Sequence, residues 1–389
     1  MYFLETAIAI FIGSFLLTYL TIPKIIGVVE HKRLMDDPNQ RSSHSSKTPT
    51  LGGIAFYCAL VFALFFIKDR ANFNEAIYII PGLTILFIVG LKDDLVVLSP
   101  GAKLIAQALA ICFIIFNDSF TIHSLNGFLN ISEIPYYLYL VIGGFIMITI
   151  INSYNLIDGI DGLASIVGIV IMILYTTIFY LSGEYFFALI GITLNGCLMA
   201  FFGFNISSDR KIFMGDTGSL IIGFVISILT LKFLALKPTS YSELPFLLEN
   251  APLIAISILI VPLFDTARVF TIRIANKKGP FSPDRNHTHH ILIDFWGLSH
   301  KQASFFIGFF NLIFVVLFIV LGSTAKNLWM VVAMVAIVII LGYIFFRYNY
   351  NYSALKQRMV LKKKVNKITG VNQEGSIKKK KKKTKEKKE

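Results

Sequence analysis

Polar residues recur at every third position in one segment of an otherwise apolar stretch of the chain. In NSYNLIDGIDGLA (152–164) they are Asn152, Asn155, Asp158 and Asp161. Residues three apart lie on one face of a helix, but a strict three-residue repeat drifts around the axis unless the turn tightens or breaks, which Gly159 and Gly162 would permit. Carboxylate and amide oxygens suit Mg²⁺, ribose hydroxyls or the edge of uracil. Helix capping would explain Asp161, but not the whole repeat.

A pair of adjacent carboxylates, Asp93 and Asp94, ends another apolar run. Neighbours on a helix point about 100° apart, so both can bind one ion only if the helix ends there, and Pro100 indicates that it ends soon. Paired carboxylates at a membrane boundary cost desolvation and repulsion, so we expect a cation beside them, supplied by Lys92 or Lys103. The alternative interpretation is that Asp93 and Asp94 are ordinary charged residues at the membrane interface.

A third acidic motif, FMGDTGSL (213–220), places Asp216 between two glycines and just before an apolar run. A helix that begins here would suit a phosphate oxygen or a metal–phosphate complex. The alternative is an ordinary N-cap formed by Asp216 or Thr217.

A basic motif, PDRNHTHH, holds Arg285, His287, His289 and His290. Zinc is disfavoured because there is no neighbouring cysteine and no pair of histidines four apart on a helix. Arginine and histidine can both donate to phosphate oxygens, so anion binding is the favoured interpretation over a solvated basic loop. Lys47, in SSKTPTLGG, is a weak signal by itself.

Long apolar runs must position these motifs. Hydrophobic residues make up 55% of the 389 residues and charged residues only 15%, which excludes an ordinary soluble protein. A helix crosses about 30 Å of hydrocarbon with roughly 20 residues. The sequence therefore predicts an all-α polytopic membrane protein with about eleven transmembrane helices. The runs are 1–23, 51–67, 77–92, 102–117, 135–152, 163–182, 185–204, 218–236, 251–270, 303–322 and 327–346.

The distribution of positive charge predicts the orientation. With eleven spans, most of the 36 Lys and Arg residues fall on the side of the odd-numbered connections, even without the basic C-terminal tail. The positive-inside rule then places the N-terminus outside and the C-terminus in the cytoplasm. All five polar motifs lie on the cytoplasmic side, which indicates one shared site.

Two regions follow, a transmembrane domain over 1–347 and a basic cytoplasmic tail over 348–389. The run KKKKKKTKEKK (378–388) is typical of a disordered segment, and anionic membrane lipids would attract it. We expect no nucleic-acid partner, since no base-reading module accompanies the tail.

The motifs together favour Mg²⁺-dependent phosphoryl transfer, with Mn²⁺ as a substitute metal, between a water-soluble diphosphate and an acceptor from the lipid. A cation transporter is the alternative from another class. It would place carboxylates in the middle of the spans, and Asp265 is the best such candidate.

The ordered motifs resemble the polyprenyl-phosphate N-acetylhexosamine-1-phosphate transferases, and most closely their WecA/TagO-like branch. The segments that carry the resemblance are DDLVVLSPGAKLIAQ, NSYNLIDGIDGLA, FMGDTGSL and FDTARVFTIRIANKKGPFSPDRNHTHH. The resemblance implies transfer of a sugar 1-phosphate, with GlcNAc the first choice, from a UDP-sugar to undecaprenyl phosphate, with release of UMP and use of Mg²⁺. It also implies a multi-pass protein of the bacterial inner (cytoplasmic) membrane that starts a lipid-linked envelope glycan, such as lipopolysaccharide or teichoic acid. A homodimer is plausible by the same analogy.

Site roles follow from the matched motifs. Catalytic positions are Asp93, Asp94, Asp158 and Asp161, with Asp93 the candidate base for the lipid phosphate. Asp216 and Asp158 are the metal positions. Substrate positions are Lys47, Asn152, Asn155, Asn205, Phe213, Arg285, His287, His289 and His290, with the Phe213 ring stacking on uracil.

A related branch, which transfers phospho-MurNAc-pentapeptide in peptidoglycan synthesis, is the alternative within the family. In that branch a lysine follows the aspartate pair, where this chain has Val97.

Overall fold

The computed structural model describes residues 2–32, 34–36, 48–67, 74–277, 279 and 287–347. Lys47, Arg285 and the tail 348–389 lie outside these ranges, so the expectations for them stay predictions. The described helices are α1 (Tyr2–Lys32), α2 (Gly53–Ile67), α3 (Asn74–Leu95), α4 (Pro100–Ile115), α5 (Tyr136–Ile157), α6 (Leu163–Leu181), α7 (Tyr185–Asn205), α8 (Gly215–Leu234), α9 (Ala251–Ile258), α10 (Ile260–Ala275), α11 (Thr288–Trp296), α12 (His300–Gly322) and α13 (Asn327–Arg347). Two short strands, β1 (Met35–Asp36) and β2 (Thr48–Pro49), pair antiparallel.

The all-α polytopic prediction is confirmed. Eight helices in the described ranges are long and apolar enough to cross a membrane, or nine if α9 and α10 form one span. The apolar helices α2 and α4 are shorter. Each of the eleven predicted runs coincides with a helix, although α9 and α10 divide the ninth run with a bend of 65°. Helix α11 begins at Thr288, within the basic motif PDRNHTHH.

The central helix of the bundle is α8, which is almost completely buried and packs against α2, α3 and α5. Close approach at its N-terminal end requires glycine on the neighbouring helices. A Cβ on Gly90 of α3 would lie 2.6 Å from the Cα of Thr217, and one on Gly53 of α2 would overlap the backbone of Gly218. These contacts place the end of α3 and the start of α2 beside the start of α8.

The chain divides into two compact units, Met1–Val338 and Ile339–Glu389. All of the site residues described below belong to the first unit. In the second unit, the described residues 339–347 are helical.

Candidate active site

A lysine joins two of the predicted acidic motifs. The Lys103 Nζ lies 2.5 Å from Asp93 Oδ2 and 2.5 Å from Asp216 Oδ2. Of the two cations considered from the sequence, Lys103 therefore forms the ion pair with Asp93, while Lys92 is exposed. The ends of α3, α4 and α8 meet at this ammonium group.

Asp93 and Asp94 point to different partners because α3 continues to Leu95. Asp93 accepts a second hydrogen bond, 2.6 Å long, from the Leu98 backbone N–H. Asp94 instead accepts hydrogen bonds from the backbone N–H groups of Asp216 and Thr217, at 2.7 and 3.0 Å, and from the Thr217 hydroxyl at 2.5 Å. Asp94 thus satisfies two of the backbone N–H groups that have no partner within α8, and its contact with Asp216 is through the backbone.

Asp216 lies in the first turn of α8 and does not cap it. The N-cap position is Met214, and no side chain caps the helix from there, so the capping interpretation of this motif is wrong. The Asp216 Oδ1 accepts a 2.7 Å hydrogen bond from Asn155, whose amide also donates to Ser219 Oγ at 2.8 Å. Asn155 therefore adds α5 to the cluster formed by Asp93, Lys103 and Asp216.

The three-residue repeat is divided by the end of α5 at Ile157, and residues 158–162 form a turn before α6. Asn152 and Asn155 lie on the helix, whereas Asp158 and Asp161 lie on the turn. Asn152 forms an amide pair with Gln107 of α4, with N···O distances of 2.7 and 3.3 Å. The helix therefore breaks within the repeat, at the segment where Gly159 and Gly162 permit it, and the four side chains do not share one helix face.

Asp158 lies inside the site without a neutralising partner in the described part of the chain. Burial, followed by the nearby negative charges of Asp216, Asp94 and Asp161, raises the pKa of its carboxyl group to about 7. Where the structure describes the surroundings, no group donates a hydrogen bond to this carboxylate. The charged form of such a carboxyl group would be strongly stabilised by a nearby cation.

Asp161 turns to a different set of partners. Its carboxylate lies 2.7 Å from Lys211 Nζ and 3.5 Å from His300 Nδ1, and its backbone carbonyl accepts a 2.8 Å hydrogen bond from Ser304. Burial alone would raise the pKa of Asp161, but the contacts with His300 and Lys211 outweigh it and lower that pKa. The capping interpretation is wrong here too, because the N-cap of α6 is Gly162, which has no side-chain cap.

Sequence reasoning missed Lys211 and His300 as partners of Asp161. Lys211 lies two positions before FMGDTGSL, which was an available signal, whereas His300 is far along the chain and gave none. The Lys211 ammonium also lies 5.2 Å from the centroid of the Phe213 ring. Phe213 is anchored through its backbone, which pairs with Pro49 and Gly52 at 2.9 and 3.0 Å. The segment 49–52, which follows Lys47, therefore lies beside the backbone of Phe213.

Asn205 connects the 158–162 turn to the loop before α8. Its Oδ1 accepts a 2.6 Å hydrogen bond from Gly162 N–H, and its Nδ2 donates to the Ile212 carbonyl at 2.9 Å. Gly162 has a φ of 82°, in the region that favours glycine. Because both ends of the buried amide bind backbone groups, the structure gives Asn205 a structural contact at the position where a substrate contact was predicted.

The three predicted histidines form one buried cluster. The His287 and His289 rings are stacked with centroids 5.5 Å apart, and the His289 and His290 centroids are 4.3 Å apart. His289 packs on Gly159, where a Cβ would lie 2.6 Å from its Cε1. Burial, and then the neighbouring His290, lower the pKa of His289 well below its usual value. The cluster therefore lies against the turn that carries Asp158.

Asp265, considered from the sequence only as a mid-span charge, binds this cluster. Its Oδ2 lies 2.6 Å from His287 Nδ1, and its Oδ1 accepts hydrogen bonds from the backbone and hydroxyl of Thr288, each 2.6 Å long. Among the described residues, no three His, Cys, Asp or Glu side chains are arranged to hold a metal ion by themselves.

This site, at the ends of many apolar helices, defines a membrane protein with an acidic and cationic centre suited to phosphate chemistry. The sequence profile of the family described as glycosyl transferase family 4 matches residues 76–234. The chain is 30% identical over 336 residues to the "probable undecaprenyl-phosphate N-acetylglucosaminyl 1-phosphate transferase" of Bacillus subtilis, covering 84% of this chain and 88% of the relative.

Similar proteins named undecaprenyl-phosphate alpha-N-acetylglucosaminyl 1-phosphate transferase occur in Escherichia coli K12 and Salmonella typhi. Both are 28% identical to this chain. The first alignment covers 75% of this chain and 77% of the relative, the second 77% and 80%. The chain belongs to glycosyl transferase family 4, and it is a multi-pass membrane protein.

Proposed function

We propose that the chain transfers N-acetylglucosamine 1-phosphate from UDP-GlcNAc to undecaprenyl phosphate and releases UMP. The observation that carries the proposal is the meeting of Asp93, Lys103, Asn155 and Asp216 from four helices, with Asp158 on the adjacent turn. The names of the similar proteins support the same donor sugar and acceptor lipid.

In this reaction an oxygen of the lipid phosphate attacks the phosphorus that carries the sugar. A new P–O–P bond forms, the bond to the bridging oxygen of the UDP diphosphate breaks, and its electron pair leaves with UMP. Asp93 can accept the proton of the lipid phosphate when the acceptor still carries one. This base gives only modest help because the second phosphate pKa is near 6.

Each part of the chain has a distinct task in this proposal. Lys103 offsets the negative charge of Asp93 and Asp216, so that an anionic diphosphate can approach. The histidine cluster binds the diphosphate, and the Phe213 ring stacks on the uracil. Asp94 and Asn205 hold the start of α8 and the 158–162 turn in place.

The donor set fits Mg²⁺, which needs only one or two protein carboxylates when phosphate oxygens complete its shell. Asp158, which lacks a donor among the described residues, and Asp216 would hold the ion. When bound, Mg²⁺ neutralises charge on the transferring phosphoryl group.

The positive charges outside the spans support an orientation in which this site faces the cytosol of a bacterial inner membrane. The lipid acceptor would then enter from the membrane and the nucleotide sugar from the cytosol.

The test is UMP release in detergent from UDP-GlcNAc, undecaprenyl phosphate and Mg²⁺, with Asp216→Asn as the inactive control. UDP-GalNAc and UDP-MurNAc-pentapeptide, assayed in parallel, decide the donor. No UMP from any of these donors would reject the proposal, and preference for the pentapeptide would favour the peptidoglycan branch.

The number of displacement steps needs a separate experiment. Direct attack inverts a chiral sugar-linked phosphorus, whereas an aspartyl–phosphate intermediate gives two displacements and retention. We favour the direct route, because it needs little help from a base when the acceptor phosphate is already deprotonated. A nucleophilic Asp93 would instead have to release Lys103 or the Leu98 N–H. Retention of configuration would overturn that preference.

A further inference from the structure

The same device begins two helices of the site. Asp94 of α3 accepts from the backbone N–H and hydroxyl of Thr217 at the start of α8. Asp265 of α10 accepts from the same two groups of Thr288 at the start of α11. In both cases a carboxylate from another helix holds a threonine, and the residue just before that threonine, Asp216 or His287, carries a group assigned to the site.

The Asp265 carboxylate makes one additional contact that a cap does not need. Its second oxygen lies 2.6 Å from His287 Nδ1, and both side chains are buried, with residue exposures of 4% and 8%. A carboxylate accepts but cannot donate, so the Nδ1 of His287 carries a hydrogen directed at Asp265. The ring is therefore fixed in orientation, and its Nε2 is the nitrogen left to bind another group.

The position of this ring affects the rest of the site through direct packing. His287 stacks on His289 at an interplanar angle of 11°, and His289 lies against Gly159, next to Asp158. An anchored His287 therefore sets the position of the histidine cluster on the acidic turn.

We propose that Asp265 is a positioning residue that orients His287 so that its Nε2 binds a diphosphate oxygen of the nucleotide sugar. The inference rests on the proposed function. A residue that only capped α11 would affect activity independently of His287. The inference instead predicts that the effects of replacing Asp265 and His287 depend on each other.

A double-mutant cycle on the full-length protein in detergent distinguishes these roles. His287→Asn keeps an N–H for Asp265 but removes the Nε2, and Asp265→Asn removes the negative charge. We expect each single variant to lower kcat/KM for UDP-GlcNAc at least tenfold. The double variant should be no worse than His287→Asn alone. Thr288→Val, the matched control, removes one capping hydrogen bond and should stay within about threefold of the wild type.

The inference would be overturned if the losses caused by Asp265→Asn and His287→Asn multiply in the double variant. It would also be overturned if Thr288→Val is as impaired as Asp265→Asn. If thermal melting shows that Asp265→Asn does not fold, Asp265→Glu replaces it in the cycle with the same criterion. If the wild type is active and the effects of the two substitutions multiply, this inference is rejected but the proposed function is not. A wild type that releases no UMP rejects the proposed function, and the inference fails with it.

Discussion

Lys103 and Asp216 form an ion pair with an N···O distance of 2.5 Å although 113 positions separate them in the chain. The same ammonium contacts Asp93. One positive charge thus holds together carboxylates from α3 and α8 that would otherwise repel each other.

Replacing this cation should disable the site. We expect Lys103→Met to lower UMP release at least a hundredfold, because Asp93 and Asp216 lose their shared partner and an incoming diphosphate meets uncompensated negative charge. Lys92→Met is the matched control, since Lys92 is exposed, and it should retain most of the activity. Equal rates for the two variants would contradict the role given to Lys103.

A single methyl group should be enough to displace the histidine cluster from the acidic turn. In Gly159→Ala the new Cβ would lie 2.6 and 2.8 Å from two atoms of the His289 ring, so the buried ring must move. We expect kcat/KM for UDP-GlcNAc to fall at least tenfold, because small displacements in a site have large effects on rate.

Gly101→Ala is the control for that experiment. It adds the same methyl group in the first turn of α4, where a Cβ meets no heavy atom within 4 Å. Its activity should match the wild type. Similar losses in both variants would indicate a general effect of substitution, and wild-type activity in Gly159→Ala would show that this packing is unimportant.

The uncompensated carboxyl group of Asp158, which is partly buried, should give metal-free protein a characteristic pH dependence. Its pKa is about 7 in the folded protein, above an unfolded value of about 3.9. Between these values the folded state binds more protons, so this group contributes stability at low pH that is lost as the pH rises towards and through 7.

Thermal melting in EDTA can test the direction of this pH dependence of stability. We expect the wild-type midpoint to fall relative to that of Asp158→Asn as the pH rises from about 5 to 7.5. Asp161 has the opposite sign, since its pKa is lowered. The wild type should therefore lose stability relative to Asp161→Asn as the pH falls below the unfolded pKa of about 3.9. Parallel pH profiles for Asp158→Asn and the wild type would contradict the burial of an uncompensated carboxyl group.

Asn205 should matter more for stability than for substrate binding. Asn205→Leu leaves Gly162 N–H and the Ile212 carbonyl without their partner, at a cost of about 1–3 kcal/mol for each group. We expect a clear drop in the thermal midpoint. Asn195→Leu is the control on the same helix, because the Asn195 Oδ1 is buried and has no hydrogen-bond partner among the described residues. It should lower the midpoint little or not at all.

Kinetic measurements on Asn205→Leu separate the two roles considered for this residue. A raised KM for UDP-GlcNAc with an unchanged midpoint would restore the substrate contact that its motif implied. A lowered midpoint with a nearly unchanged KM in the folded fraction would support the structural contact.

The helices and the membership of the site could largely be predicted from the sequence. Helices coincide with all eleven predicted apolar runs, because the length and hydrophobicity of such a helix are local properties. Only eight of the described helices, or nine if α9 and α10 form one span, are long and apolar enough to cross a membrane. The motifs at 93–94, 152–164 and 213–220 meet as expected, and charge asymmetry was sufficient to group them. Asp93, Asn155 and Asp216 lie together, as their spacing relative to the spans indicated.

The tertiary structure decided which partner each polar side chain has. The Asp94 carboxylate accepts a hydrogen bond from the start of α8, 122 positions away in the chain. Asp161 binds Lys211, and Asp265 binds His287. No local pattern encodes these choices, because hydrogen-bond partners depend on where a helix ends and how closely its neighbours pack. The sequence alone therefore determines the apolar helices and the polar residues that are available to the site. The packing of α3, α8 and α10 decides which carboxylates take part in the chemistry and which stabilise the structure around it.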